Sequence, residues 1–101
     1  MSVLLEFAMF PTDKGESVSH YVSRLLEVIR DSGATYELTP MGTVIETETM
    51  DEALAMIKTC YDQLEPDCNR IYSSLKFDIR KGKPGRMKKK MQSILDKIGE
   101  V

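Results

Sequence analysis

Glu46 is the residue of this 101-residue chain whose position most needs a chemical explanation. It follows Pro40-Met41-Gly42, which is turn chemistry, and lies in a run where β-branched Thr43, Val44, Ile45 and Thr47 predict a strand over Thr43 to Glu48. A carboxylate in a strand near the middle of a sheet needs a cation, a ligand or a second subunit to balance it. Other reactive groups are sparse. His20 stands alone in the first turn of a predicted helix, and Cys60 and Cys68 have no zinc-type spacing with it, so both cysteines read as structural thiols. No Gly-rich nucleotide loop follows a strand, because Gly82 and Gly85 sit in the basic turn Lys81-Gly82-Lys83-Pro84-Gly85 beyond the last one. Arg86 with Lys88-Lys89-Lys90 could attract phosphate or acidic lipid, but a lysine run on a helix reads first as a solvated face.

The elements that must position Glu46 are legible from hydrophobic periodicity. Val3 to Phe10 is apolar almost throughout, with Pro11 ending it, and predicts a central strand covered on both faces. Ser17 is placed to cap a helix whose Val18, Tyr21, Val22, Leu25, Leu26 and Ile29 form one apolar face, stopped at Ser32-Gly33. Thr35 to Thr39 is a short strand folded back by the Pro40 to Gly42 turn. Thr49 and Glu52 form a capping box for a second helix, with Ala53, Leu54, Ile57, Cys60, Tyr61 and Leu64 on one face, ending before Pro66. Arg70 to Arg80 alternates cleanly, with Ile71, Leu75, Phe77 and Ile79 in the set expected to face the helices. Met87, Met91, Ile94, Leu95 and Ile98 mark a last helix with a narrower apolar seam.

The order strand, helix, strand, strand, helix, strand, with helices amphipathic on one side only, predicts an α+β fold. It is a ferredoxin-like βαββαβ sandwich: a four-stranded antiparallel sheet, two helices on one face, and an extra C-terminal helix. Period-two geometry then turns Leu4, Glu6, Ala8, Phe10, Val44, Glu46 and Glu48 to the opposite face, with Tyr72, Ser74, Lys76 and Asp78. A part-apolar sheet face without a helix layer predicts a homo-oligomer through that face, unless the last helix covers it. The length suits a single domain over 1–101. Fourteen basic against sixteen acidic residues give a net charge of −2, which lends nothing to a nucleic-acid partner. Strand three also lacks the aromatic platform of ferredoxin-like RNA binders. No apolar run approaches the ~20 residues of a membrane span, and Glu6 and Pro11 interrupt any signal-peptide core, so no membrane partner and a cytoplasmic location are expected.

Four segments together resemble the thiamine-binding protein family. They are Ser17-Val18-Ser19-x-Tyr21-Val22, Ser32-Gly33, Tyr36-x-Leu38-x-Pro40-Met41-Gly42-Thr43-x-Ile45-Glu46 and Asp78-x-Arg80-Lys81-Gly82. The resemblance spans nearly the whole chain, with Pro-Met-Gly-Thr-x-Ile-Glu its most specific part. It implies a ferredoxin-like protomer, assembly into dimers or tetramers, and a pocket near a subunit interface for thiamine or a related pyrimidine. The residue types suit such a ligand: Glu46 could pair with the thiazolium cation or the aminopyrimidine edge, and Thr43 and Ser19 could supply hydroxyls. Tyr36, Leu38, Met41 or Phe10 could form a flat apolar wall. The competing reading of Glu46 is a salt bridge to Lys76, Arg80 or a neighbouring chain, and Ser17 and Ser19 read first as helix caps.

No Gly-Asp-Gly signature for magnesium-held diphosphate occurs, so thiamine is expected as a ligand and not as a catalytic cofactor. The expectation is a non-enzymatic, oligomeric binder of thiamine or its hydroxymethylpyrimidine moiety, serving buffering, delivery or sensing. The alternatives are a structural or regulatory oligomer holding another small metabolite at its interface, and a small pyrimidine-acting enzyme with Glu46 as acid or base.

Overall fold

The computed structural model describes residues 1–16, 18–82 and 86–99. Seven elements follow one another: β1 (Ser2–Pro11), α1 (Ser19–Asp31), β2 (Thr35–Thr39), β3 (Gly42–Thr47), α2 (Met50–Leu64), β4 (Ile71–Arg80) and α3 (Arg86–Ile98). The strands form one antiparallel sheet in the order β2-β3-β1-β4. This is the predicted ferredoxin-like arrangement, with β1 and β3 central. The expected cap Ser17 and the Lys83-Pro84-Gly85 part of the basic turn lie outside the described residues.

The core lies between the sheet and the first two helices. Val3, Leu5 and Ile45 point at Ile29 of α1 and at Ala53, Cys60 and Leu64 of α2, and all seven are fully buried. Burying a side chain of the Leu or Ile class contributes roughly 1.5–3 kcal/mol, so these positions carry much of the fold's stability. At the start of α2 the Thr49 hydroxyl accepts from the Glu52 N–H at 3.1 Å, as a capping box requires. The Glu52 carboxylate reaches the Glu48 N–H at 3.2 Å, one residue before the position the box predicts.

Two expectations about burial need correction. β1 is covered on its helix side, but on the other side cover stops after Leu4: Glu6 is exposed and pairs with Lys76 across the sheet at 3.8 Å. On β4 the register does turn Leu75 and Ile79 to the helix side, opposite Phe7 and Val3, yet they remain 42% and 48% exposed. β4 is an edge strand, and of this face only Ile71 and Phe77 pack against the core. The last helix covers one end of the open face: the Lys90 ammonium bonds the Asp78 carboxylate at 2.6 Å, and Asp78 is the cross-strand partner of the well-covered Leu4. Its outer seam, Met91, Ile94 and Ile98, remains largely exposed. No helix among the described residues is long and apolar enough to cross a membrane.

Candidate functional site

The β2–β3 turn shapes a concavity whose lining carries no charge. A two-residue hairpin usually takes φ > 0 at its central positions, but no non-glycine residue here has positive φ, and the Pro40 ring locks the first central φ at about −65°. The Thr39 hydroxyl secures this less common turn: it accepts from the Met41 and Gly42 N–H groups at 3.2 and 3.1 Å and donates to the Gly42 carbonyl at 2.8 Å. Gly42 is needed for close approach, since a Cβ there would sit 2.8 Å from the Phe7 carbonyl oxygen of β1. The turn is thereby pressed against β1, and α1 lies over the gap that remains.

That gap is a cavity of about 260 Å³. Its walls come from β1 (Phe7 to Phe10), from α1 (Val22, Leu25, Leu26) and from the turn and its flanks (Leu38 to Thr43), and none of the residues lining it is charged. Four of the residues singled out from sequence border it: Thr43, Leu38, Met41 and Phe10, the last at the far end of β1 with its ring turned to the open face against Tyr72. Thr43 is 8% exposed, pairs with Phe7 on the helix side of the sheet, and its hydroxyl has no hydrogen-bond partner among the described residues. Thr39, the other hydroxyl in the lining, is fully engaged in the turn. Met41, 86% exposed, stands at the rim, where it also borders a second concavity of about 330 Å³ on the open sheet face with Glu6, Ser74 and Lys76.

The other three lie elsewhere. Tyr36 shares the helix-side face through its pairing with Ile45 but is outside the cavity wall, and Ser19 opens α1 one turn before the first wall residue, Val22. Glu46 points to the opposite face of β3 and accepts a hydrogen bond from the Ser2 hydroxyl at 2.6 Å. Three residues of strand separate it from Thr43, about 10 Å. It borders a more open groove of about 520 Å³ with Ser32 to Thr35 and the carboxylates Glu48 and Glu52. Lys76, one of its expected cations, is engaged with Glu6.

Sequence reasoning missed Met9, Val22 and Leu26 as cavity walls. Their only signal was apolar periodicity, which does not distinguish a wall from a filled core. Both cysteines are thiols inside the structure, as expected, and burial pushes the Cys60 thiol up to about 11. Among the described residues, no three His, Cys, Asp or Glu side chains gather as a metal site.

Comparison with known proteins agrees with this architecture. A UPF0045 protein of Methanocaldococcus jannaschii is 37% identical over 92 residues, covering 91% of each chain. Its crystal structure superimposes with a TM-score of 0.81 over 92% of this chain and 95% of that one. A UPF0045 protein of Mycobacterium bovis is 32% identical over 94 residues, covering 93% of this chain and 92% of that one. A Thermotoga maritima protein provisionally assigned to thiamine biosynthesis or salvage shares the fold at 22% identity and a TM-score of 0.78, covering 92% of this chain and 99% of that one. The sequence pattern of the thiamine-binding proteins matches residues 5–95. The chain therefore belongs to the thiamine-binding protein family.

Proposed function

We propose that the protein binds thiamine or its hydroxymethylpyrimidine moiety without chemically altering it, as a homo-oligomer that buffers, delivers or senses the vitamin. The observation that carries this reading is the uncharged cavity bordered by Thr43, Leu38, Met41 and Phe10. At about 260 Å³ it lies just below the ~300–1,000 Å³ of drug-sized sites, which favours a single ring over the whole of thiamine. Apolar walls suit the faces of a pyrimidine, and one open hydroxyl suits its polar edge. The lining offers no carboxylate, imidazole or amine to move a proton, which supports binding without turnover. Family membership supports the ligand class.

Assembly is supported by the open sheet face. There the Phe10 and Tyr72 rings lie tilted against each other with centroids 5.6 Å apart, Tyr72 stays 58% exposed, and Val44, farther along the same face opposite Glu6, is half-buried. The groove around Glu46 supports a second reading, in which carboxylates attract the thiazolium cation. Thermal unfolding with and without thiamine, which carries both the pyrimidine and the thiazolium, separates the two, because a ligand that binds only the folded state raises Tm. In the cavity reading Thr43→Val weakens binding about fivefold, as expected for one hydrogen bond of ~1 kcal/mol, and Glu46→Gln leaves it unchanged. The reverse pattern moves the site to the groove.

A further inference from the structure

β1 is longer than the strand beside it, and the mismatch leaves backbone open over the cavity. It pairs with β4 from Ser2 to Pro11 but with β3 only from Val3 to Phe7. The bond from the Thr12 N–H to the Arg70 carbonyl at 2.8 Å continues the β1–β4 register and fixes its phase. Backbone groups alternate in direction along an antiparallel ladder. The even-numbered residues of β1 therefore turn N–H and C=O toward β4, and the odd-numbered ones toward β3. Pro11, which has no N–H, occupies an odd position where no donor is required.

Val3, Leu5 and Phe7 find their partners in Thr47, Ile45 and Thr43. Met9 is the next in the series, and β3 has by then become the Pro40-Met41 turn, whose Met41 and Gly42 N–H groups are spent on the Thr39 hydroxyl. The Met9 N–H and C=O thus have no partner among the described residues, although Met9 is only 5% exposed. More than ~90% of buried backbone groups are paired, so a buried donor and acceptor side by side on a cavity wall require an explanation.

We propose that the Met9 backbone, with the Thr43 hydroxyl beside it, recognises the polar edge of a neutral heteroaromatic amine. A ring nitrogen accepts from the Met9 N–H while the adjacent exocyclic amine donates to the Met9 carbonyl, as a β3 residue would if the strand continued. Val22 and Leu26 of α1 and Leu38 of β2 supply the apolar walls. This assignment rests on the reading of the cavity as the pyrimidine site, and it gives selectivity to the backbone and to no charged side chain.

The test is calorimetric titration of the full chain with hydroxymethylpyrimidine and with its 4-oxo analogue, in which the amine becomes an acceptor and the ring nitrogen a donor. Alongside it, the Met9 amide is followed by ¹H–¹⁵N NMR. The amino compound is expected to bind at least about 30-fold more tightly, because the oxo compound sets acceptor against acceptor and donor against donor. The Met9 amide is expected to shift and to exchange more slowly in the complex. Equal affinity for the two compounds, or an unmoved Met9 amide in a saturated complex, overturns the Met9 assignment and leaves the ligand reading standing. Failure of the amino compound to bind overturns both.

Discussion

Two threonines line the cavity within five residues of each other, and only one is available to a ligand. The Thr39 hydroxyl makes three hydrogen bonds that hold the turn, whereas the Thr43 hydroxyl makes none among the described residues. Sequence pointed to Thr43 and could not rank the two, because the difference lies in which hydroxyl the Pro40 turn consumes. Glu46 illustrates the converse. Its place in a central strand was read correctly and the predicted fold sets β1 beside β3, but the bond to Ser2 depends on the register that puts Leu4 opposite Glu46, which no local pattern encodes. At Cys60 the chemistry is one of burial. The thiol moves from the ordinary 9.0 up to about 11, so above pH 9 the unfolded chain ionises where the folded one does not. The stability held by the neutral thiol is complete below about pH 9 and is lost as pH rises through about 11. Chemical denaturation of wild type and Cys60→Ala across that window is expected to show their difference shrinking by on the order of 2 kcal/mol; a difference independent of pH would argue against a buried neutral thiol.

The elements themselves were largely legible. Period-two and period-3.6 patterns placed every strand and helix within a few residues, and the hairpin at Pro40-Met41 was read as such. What failed was cover. Leu75 and Ile79 alternate as a buried face should, yet on that face of β4 only Ile71 and Phe77 pack against the core, and alternation reports only which way a side chain points. The apolar run of β1 likewise suggested two covered faces where α3 reaches only the Leu4 end. The open Met9 edge was invisible for a related reason, since it comes from a length mismatch between two strands in register. At this scale the turn is the testable element, because it is pressed onto β1. Gly42→Ala puts a methyl 2.8 Å from the Phe7 carbonyl oxygen, and that oxygen is backbone and cannot swing away. The expected cost is about 1–3 kcal/mol in urea denaturation with a weaker ligand response. An unchanged midpoint would show that the turn is free to lift off the strand.

For the whole molecule, the sheet divides two tasks. Its helix side builds the core and the cavity, and its other side carries Phe10, Val44 and Tyr72 among the paired charges Glu6 and Lys76. A face of that mixture fits a second copy better than water, and Met41 at the cavity rim borders it. Tyr72→Asp places a charge against Phe10 on the exposed apolar part of that face. Sedimentation is expected to show dimers or tetramers for wild type and a lighter species for the variant, with the circular dichroism of the fold retained; a monomeric wild type at micromolar concentration would remove assembly from the account. The claim on which the rest turns is that the cavity between α1 and the Thr39 to Thr43 turn holds the ligand. A structure of the protein with hydroxymethylpyrimidine or thiamine bound tests it most directly. The pyrimidine is expected between Val22, Leu26 and Leu38 with its polar edge on Met9 and Thr43, and a ring seated against Glu46, Glu48 and Glu52 would contradict that placement.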